Sequence, residues 1–344
     1  MIAMGTMHST SPITRRAALQ NAALLTGTAA LGMTVLSGCV AQSAPPGPSI
    51  MPPEQDTNHF VMPDGAKLPY RVWVPKGEVK AVVLALHGFN DSRDAWEIPV
   101  PTYTDAGILV YAPDQRGFGQ APGRGLWAGT DAMANDAADM AALLRAKHPG
   151  KKLYLLGESM GGAVLLCCEV RRRPDVDGYV LSAPAVWGRR RMNVWMQASL
   201  WLASTFVPGL AVGRGPVRIH PSDNNAALIR LSQDPLTIHN TRFDTLAGLV
   251  NLMDDALAAA PNFTAKALVQ YGAHDDLVPA AATTLLWRTL PPKSIRAFYP
   301  DGYHLLTRDL HRQIVNTDTA AYIADGLRPT LSEEAAKAWL ATQA

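Results

Sequence analysis

The pentapeptide Gly157-Glu158-Ser159-Met160-Gly161 is the feature that most constrains how this chain can fold. It follows an apolar run, 153–156, and precedes a stretch of helical character, 162–170. A serine between two glycines at a strand-to-helix junction is typical of a sharp turn, where larger flanking side chains would collide with the strand and the helix. We therefore predict that Ser159 is a strained nucleophile at a helix N-terminus, where the helix dipole favours negative charge.

Short apolar runs alternate with helical stretches from Phe60 onward, and turn residues separate them. This alternation is typical of βαβ units. The predicted strands are Leu68–Val74, Ala81–Leu86, Gly107–Ala112, Lys152–Leu156, Gly178–Ser182, Lys266–Tyr271 and Ser294–Tyr299. Since strands buried on both faces have continuous apolar sequences, we expect an α/β fold with a mostly parallel central sheet and helices on both faces.

A helix is predicted over 131–147, with Thr130 or Asp131 as its N-cap. One face carries apolar side chains at helical spacing, namely Met133, Ala137, Met140 and Leu144. We interpret this face as core packing and not as a binding site.

The alternation stops between residues 185 and 240. Apolar side chains there are spaced as on an amphipathic helix: Trp187, Met192, Trp195, Met196, Leu200, Trp201, Leu202 and Phe206. We interpret 185–240 as an inserted helical cap over the carboxyl ends of the strands. Some of these rings are expected to pack the cap onto the core, and the others to line an acyl pocket or contact lipid.

The first 39 residues have the pattern of an export signal. Arg15-Arg16 precede an uncharged stretch, 22–36, that is too short for a comfortable membrane span. The arginine pair resembles a twin-arginine signal, with the general route as the alternative. Leu36-Ser37-Gly38-Cys39 resembles the lipobox of bacterial lipoproteins, in which the cysteine becomes the lipidated first residue. We expect a membrane-anchored lipoprotein of the cell envelope; signal cleavage nearby without lipidation is the alternative.

Residues 40–57 contain five prolines and are expected to form a semi-rigid tether. At 3.1 Å per residue it could extend up to about 55 Å and let the domain stand off a membrane. The predicted organisation is a signal peptide (1–39), the tether (40–57), an α/β core in two parts (58–184 and 241–330), the cap (185–240) and a C-terminal helix or tail (331–344).

Composition excludes a nucleic-acid-binding protein and a fold held together by disulfides. The formal net charge is +2 and charged residues make up 17% of the chain, without basic stretches interleaved with aromatics, so no nucleic-acid partner is expected. Besides Cys39, the cysteines are Cys167 and Cys168, which are adjacent on a predicted helix and cannot readily bridge. We expect both to be core residues and the domain to be stabilised by burial alone.

A serine nucleophile needs a base and an acid that orients the base. Asp275 and Asp276 follow the predicted strand 266–271, which places one of them at the carboxyl edge of the sheet. We favour Asp275 as the orienting acid and expect the other aspartate to cap the helix that starts near Pro279. His304, just past the last predicted strand, is the best candidate for the general base. Four other histidines are interpreted as surface or packing residues: His148, His220, His239 and His311.

The loop after strand 81–86 is His87-Gly88-Phe89-Asn90. In a fold of this kind it supplies one amide donor for an oxyanion, so the backbone N–H groups of Phe89 and Met160 are the predicted oxyanion hole. His87 is expected to shape the loop. No cofactor or metal is expected, because His274 and its adjacent aspartates would rarely converge on one ion. The sequence leaves the oligomeric state open.

These motifs together resemble the monoglyceride lipase and lysophospholipase branch of the α/β hydrolases. The resemblance covers about 60–327 and rests on the oxyanion and serine motifs above, Asp275 with Val278-Pro279, His304, Asp114–Gly119 and Ser232–Leu236. It implies a lid over a lipid-acyl tunnel and hydrolysis of carboxylic esters with a single acyl chain. The export signal, the tether and the bulky Phe89 depart from the family pattern.

We therefore expect a serine hydrolase that cleaves monoacylglycerol or lysophospholipid through an acyl-enzyme intermediate. One alternative is an esterase, thioesterase or peptidase that acts on small soluble substrates. The other is a lipoprotein that binds lipid without catalysis, since a fold alone does not fix function.

Overall fold

The computed structural model of the protein describes residues 40–213 and 219–343. In these ranges the strands are β1 Glu54–Gln55, β2 His59–Val61, β3 Lys67–Trp73, β4 Ala81–Leu86, β5 Ile108–Pro113, β6 Lys152–Glu158, β7 Gly178–Ser182, β8 Ala211–Val212, β9 Thr241–Arg242, β10 Ala267–Gly272 and β11 Ile295–Tyr299. The helices there are α1 Val100–Asp105, α2 Thr130–Lys147, α3 Met160–Arg172, α4 Val194–Phe206, α5 Asn225–Gln233, α6 Phe243–Ala259, α7 Ala280–Thr289, α8 Arg312–Asp325 and α9 Thr330–Thr342. The predicted export signal, with Cys39, lies outside the described residues.

Within the described ranges nine strands form one sheet, in the order β1-β2-β3-β5-β4-β6-β7-β10-β11. The strands β4, β5, β6, β7, β10 and β11 pair in parallel, and β1, β2 and β3 add an antiparallel edge. This mostly parallel sheet confirms the predicted fold class. Each predicted strand appears within two residues of its expected bounds, but the sequence reasoning missed the edge strands β1 and β2.

Both faces of the central strands are buried. In β4, the side chains of Val82, Leu84 and Leu86 pack into one apolar cluster and those of the residues between them pack into the other. Helices α2, α3, α6, α7 and α9 contribute to the first cluster, and α1 and α8 to the second. Continuous apolar strands of this kind are stable only when helices cover both sides, which is why the sequence alternates as it does.

The start of α2 corrects one prediction. The N-cap position is Gly129, with φ of 105°, and no side chain caps the helix. Thr130 is already helical, and the Asp131 carboxylate accepts a hydrogen bond from Arg171 at 2.6 Å. The predicted apolar face of α2 is buried, as expected for core packing.

The name cap segment is used here for residues 185–240. It contains α4, α5 and the short strand β8, which pairs with β9. Helix α4 has no fully buried residue, and Trp195 and Trp201 are 79% and 62% exposed. Trp187 and Met192 precede the helix and pack partly against the core. Across 40–213 and 219–343, no helix combines the length and the apolar character that crossing a bilayer requires.

The N-terminal segment 40–53, called the strap below, corrects the prediction of a free tether. Its backbone amides donate to the body of the protein: Gln42 to Asp244 at 3.0 Å, Ala44 to the Trp127 carbonyl at 3.0 Å, Gly47 to Asp64 at 3.1 Å and Ile50 to the Pro63 carbonyl at 2.8 Å. Proline keeps a chain extended, but the amides before and between the prolines donate to acceptors on the surface of the domain. The strap therefore lies along the domain instead of projecting from it.

Cys167 and Cys168 are both free and fully buried in α3. Burial raises the pKa of the Cys167 thiol to about 12, and it raises that of Cys168 as well. Neither thiol is a nucleophile at neutral pH, since the thiolate is the reactive form. Both are core residues, as the sequence predicted.

Candidate active site

The turn between β6 and α3 has the predicted strained geometry. Ser159 has φ of 52° and ψ of −113°, in the region that side chains rarely occupy. A Cβ on Gly161 would lie 2.2 Å from the Leu86 carbonyl oxygen, and one on Gly157 would lie 2.5 Å from the Gly161 carbonyl carbon. Only glycine fits at either position. The tight turn places half-buried Ser159 at the N-terminus of α3.

The loops after β10 and β11 bring the predicted acid and base together. His304 Nδ1 lies 2.9 Å from Asp275 Oδ2, and both side chains are buried. The other carboxylate oxygen of Asp275 accepts from the amides of Leu277 and Val278 at 2.8 Å each. Because Asp275 accepts on both oxygens, its carboxylate is fixed in position. It also sets the imidazole so that Nε2, and not Nδ1, is available to a substrate or nucleophile.

Asp276 has a different environment from the one predicted. Its carboxylate is 51% exposed and lies 3.2 Å from the backbone nitrogen of His220, which donates to it. It does not cap α7, whose N-cap is Pro279 without a side-chain hydrogen bond. The helix cap prediction for Asp276 is therefore wrong, because the carboxylate points toward the cap segment instead.

The pKa of His304 is raised above its ordinary value. Burial alone would lower this pKa, but the charge of Asp275 and its hydrogen bond outweigh burial, and Glu158 adds to the effect. An imidazolium beside a carboxylate is favoured for this reason. The histidine can thus take up a proton readily, as a general base must.

Ser159 Oγ forms no hydrogen bond with any group in the residues that the structure describes. Its backbone is nevertheless fixed, since Ser159 N donates to the Ser182 carbonyl at 2.9 Å and Ser159 O accepts from Ala185 N at 2.9 Å. Catalytic hydrogen bonds are often long in the absence of substrate and shorten when substrate binds. The structure therefore brings acid and base together and leaves the serine hydroxyl free.

The predicted oxyanion loop approaches the serine closely. A Cβ on Gly88 would lie 3.4 Å from Ser159 Cβ. Within the described part of the chain, the amides of Phe89 and Met160 donate to no other protein group, so both remain available to an oxyanion. The ring of Phe89 packs edge-on against Phe118, with centroids 5.5 Å apart.

His87 holds this loop in place. It is fully buried, its Nδ1 lies 2.8 Å from the Gly88 carbonyl and its Nε2 accepts from Gln115 N at 3.0 Å. The Gln115 side chain donates back to the His87 carbonyl at 2.7 Å. These contacts set the Nδ1–H tautomer and tie the oxyanion loop to the loop after β5.

A buried charge network links the three loops, and the sequence reasoning missed it. Arg308 donates to Glu158 and, at 2.8 Å, to Asp91, and all three side chains are at most 7% exposed. Thr307 Oγ1 also donates to Glu158 at 3.0 Å. The available signal was a charged residue between Gly157 and Ser159, directly after an apolar strand. Arg308 thus joins the serine turn, the oxyanion loop and the histidine loop through ion pairs.

The cap segment is attached to the histidine loop by hydrogen bonds. Leu305 N donates to the Pro221 carbonyl at 2.8 Å, and Asn224 Nδ2 donates to the Arg308 carbonyl at 2.8 Å. Ser222 Oγ donates to Asp309 Oδ1 at 2.5 Å, while the other oxygen of Asp309 accepts from Tyr303 N at 2.7 Å. The cap segment therefore contacts the loop that carries the predicted base.

No group of three or more histidine, cysteine or acidic side chains in 40–213 and 219–343 is arranged to hold a metal ion. His274 instead stacks on Tyr303, with ring centroids 5.1 Å apart.

The mostly parallel sheet, with a strained serine at the β6–α3 turn, defines the class of α/β hydrolases. The chain belongs to the family described as "Serine aminopeptidase, S33", whose model matches residues 77–311. This family and the relatives below together indicate a carboxylic ester hydrolase.

Two named proteins are similar to this chain in sequence. The chain is 25% identical over 266 residues to a monoacylglycerol lipase of Mycolicibacterium smegmatis, which covers 76% of this chain and 95% of the relative. It is 26% identical over 265 residues to the human monoglyceride lipase, covering 75% of this chain and 86% of the relative.

Solved structures share the fold. The Paleococcus ferrophilus monoacylglycerol lipase superposes with a TM-score of 0.63 at 21% identity, over 76% of this chain and 99% of that one. A soluble variant of the Saccharomyces cerevisiae monoglyceride lipase, in complex with a substrate analogue, gives a TM-score of 0.65 at 21% identity, over 82% and 98%.

Proposed function

We propose that the protein hydrolyses carboxylic esters of single-acyl lipids, monoacylglycerol or lysophospholipid, through an acyl-enzyme intermediate. The observation that carries the proposal is the buried 2.9 Å contact between His304 and Asp275 in a fold that holds Ser159 in a strained conformation at the N-terminus of α3. The lipid class is supported by the names of the similar relatives and by the apolar surface of the cap segment.

In the proposed mechanism His304 Nε2 takes the proton of Ser159 as its oxygen attacks the ester carbonyl. The amides of Phe89 and Met160 stabilise the oxyanion of the tetrahedral intermediate. His304 then protonates the leaving alcohol, which leaves the acyl group on the serine. Water, deprotonated by His304, attacks the acyl-enzyme, and the imidazolium returns this proton to Ser159 Oγ as the fatty acid is released. Asp275 holds the imidazole tautomer and stabilises the imidazolium.

The test is a rate series over esters of two to sixteen acyl carbons, with monoacylglycerol and lysophospholipid in parallel. We expect the rate to rise with chain length and to reach its maximum on a single-acyl lipid. The Ser159→Ala variant should lose turnover and also labelling by a fluorophosphonate. A maximum at the shortest chains would reject the lipid assignment, and undiminished turnover by Ser159→Ala would reject the nucleophile.

Two alternatives give different outcomes in the same assay. An esterase, thioesterase or peptidase for small soluble substrates would prefer short or peptidic substrates, and the description of the matching family as an aminopeptidase makes a peptide substrate worth including. A non-catalytic lipid-binding lipoprotein would bind the long-chain substrates without turnover.

We further propose that the protein is exported and anchored in a membrane of the cell envelope by lipid on Cys39. The lipobox-like sequence 36–39 supports this. The mass of the N-terminal peptide of the mature protein tests it. A diacylglycerol-modified cysteine at position 39 is expected, and an unmodified N-terminus elsewhere would contradict the anchor.

A further inference from the structure

The strap determines where the chain leaves the folded domain. Arg242 donates to the Val40 carbonyl at 3.3 Å, and Gln42 N donates to Asp244 at 3.0 Å. Arg242 and Asp244, which bind the strap, both lie at the start of α6. Val40, the first described residue and the one bonded to Cys39 in the chain, is therefore held at the start of α6.

This exit point lies beside the C-terminal end of α4. Arg242 pairs with Ala211 in the β8–β9 ladder, Phe243 N donates to the Leu210 carbonyl at 3.2 Å, and Asp244 N donates to the Pro208 carbonyl at 3.1 Å. Residues 208–211 directly follow α4 in the chain. The segment that ends α4 and the residues that hold the strap are therefore hydrogen-bonded to each other.

The outer face of α4 is apolar and uncharged. The thirteen residues of the helix include no charged side chain, although it is a surface helix. Its exposed large apolar residues, with those just after it, are Val194, Trp195, Met196, Trp201, Leu202, Phe206, Val207 and Leu210. Trp201 and Phe206 pack against each other, with ring centroids 6.3 Å apart, and exposed apolar surface gathered on one helix is typical of an interaction site. Tryptophan and phenylalanine are also the side chains favoured at the surface of a bilayer.

Positive charge precedes this helix. Arg190 and Arg191 are exposed, and neither forms an ion pair with any residue of the described ranges. Arg189, by contrast, pairs with Asp254 at 2.5 Å. Free basic side chains beside an apolar helix complement the anionic head groups of a membrane.

We propose that the strap fixes the membrane anchor beside α4, so that the lipid on Cys39 and the apolar face of α4 enter the same bilayer. The inference rests on the lipoprotein assignment under Proposed function. Anchor and helix then act as two linked attachments, and the second forms at high effective concentration because the strap holds the first one near it. The strap thereby sets the orientation of the cap segment toward the membrane, which a free tether could not do.

The experiment uses the full-length lipidated protein in vesicles of phosphatidylethanolamine, phosphatidylglycerol and a brominated phosphatidylcholine. Bromine quenches tryptophan only on contact with the acyl region. We expect strong quenching in the wild type and its loss in Trp195→Phe/Trp201→Phe, which removes the two fluorophores and keeps the apolar face. Undiminished quenching in that variant would show that other tryptophans are in contact and would overturn the proposal.

The strap is tested by a variant that breaks its hydrogen bonds. Gln42→Pro/Ala44→Pro removes two donating amides, because proline lacks the N–H group. This variant should still float with the vesicles while its tryptophan quenching falls. The matched control is Ala41→Pro/Ser43→Pro, whose amides donate no hydrogen bond within the described residues and whose quenching should stay at the wild-type level. Equal quenching in both proline variants would overturn the role of the strap.

Three further results separate this inference from the proposed function. Turnover of monoacylglycerol in detergent micelles tests catalysis alone, so inactivity there refutes the proposed function even if quenching is normal. An unmodified Cys39 in the mass spectrum overturns the anchor and with it the inference. A wild type that dimerises through α4, with no quenching by vesicles, would assign the apolar face to a second copy of the chain and would also overturn it.

Discussion

The loops of the candidate active site and helix α4 of the cap segment are built in opposite ways. The charged side chains at the site are buried and paired, as Arg308 with Glu158 and Asp91 or Asp275 with His304 show. Helix α4 has no charged residue and no fully buried one. The loops are thus fixed from several sides by the core, while α4 has one face left for a partner. The difference indicates that the core fixes the geometry of the site, while the cap segment presents an apolar surface.

The sharpest test of this difference is to replace each of the neighbouring aspartates, Asp275 and Asp276, in turn. Asp275→Asn should lower kcat by about 10⁴-fold, because the amide no longer favours the correct tautomer of His304 and cannot stabilise the imidazolium. Asp276→Asn should leave kcat nearly unchanged, since its carboxylate is half exposed and contacts the cap segment. Steady-state kinetics on one ester measures both. Equal losses in the two variants would mean that the acid is not Asp275 alone.

The buried arginine gives the largest expected effect on stability. Arg308→Met would leave Glu158 and Asp91 as buried, uncompensated charges and should lower the free energy of unfolding by about 3–5 kcal/mol. Urea denaturation at neutral pH measures this. The control is Arg328→Met, whose side chain is 59% exposed and pairs with Glu333, and whose loss should stay below about 1 kcal/mol.

If Arg308 stabilises the fold by neutralising Glu158 and Asp91, removing their charges should restore stability to the Arg308→Met variant. The triple variant Arg308→Met/Glu158→Gln/Asp91→Asn also removes the two carboxylates that lose their partner. It should regain part of the lost stability, because the uncompensated buried charges cause most of the loss. If the triple variant is less stable than the single one, the carboxylates must have other buried partners that stabilise them.

Asp309 connects the two regions and should make stability depend on pH. Burial raises the pKa of this carboxyl to about 6, although Ser222 and the Tyr303 amide donate to it. Asp223 and Glu158 are the acidic groups that raise it further. The folded protein therefore holds this proton more tightly than the unfolded chain, so its contribution to the free energy of unfolding falls as pH rises from about 4 through about 6.

The Asp309→Asn variant removes that titration and can keep both hydrogen bonds, since an amide accepts from Tyr303 N and donates to the Ser222 hydroxyl. Between pH 4 and pH 8 the wild type should lose about 2 kcal/mol more than the variant. Unfolding free energies at the two pH values measure the difference. Parallel curves for the two proteins would show that Asp309 titrates normally.

The sequence predicted the elements that simple sterics and burial impose. The glycines around Ser159 identified the turn because a Cβ there would overlap the neighbouring backbone, and the apolar runs identified the parallel strands because both of their faces are buried. The order serine, aspartate, histidine then placed Asp275 and His304 at the same edge of the sheet, where the structure brings them into contact.

What the sequence did not predict depends on contacts between distant segments. The partners of Arg308 lie 150 and 217 residues away along the chain, and no local pattern links them. The strap was misjudged for the same reason: its prolines indicate an extended chain, but the acceptors at Trp127 and Asp244 are visible only in the fold. The N-cap prediction for α2 was wrong because the helix begins earlier than expected, with Gly129 at the N-cap, so Thr130 and Asp131 both lie inside it.

The smallest predicted effect is a displacement of the acid limb of the pH profile. The imidazole of His304 must be neutral to accept the proton of Ser159, so the rate falls as pH drops through the pKa of the histidine. Because Asp275 raises this pKa above its ordinary value of 6.5, the half-maximal point of kcat/KM should lie above pH 6.5 and should move to lower pH in Asp275→Asn. A midpoint at or below pH 6.5 in the wild type would contradict the raised pKa.

The raised pKa of His304 also affects the stability of the fold, but with the opposite dependence on pH. The protonated His304 beside Asp275 stabilises the folded state below about pH 6.5, and this contribution is lost as pH rises through the raised pKa. Activity is thus expected to be highest on the alkaline side of that pKa, where the ion pair no longer stabilises the loop. There the neutral hydrogen bond to Asp275, together with the attachments through Arg308 and the cap segment, must hold His304 in place. Unfolding free energies of the wild type and Asp276→Asn should fall in parallel across this range, whereas Asp275→Asn should show a flatter curve.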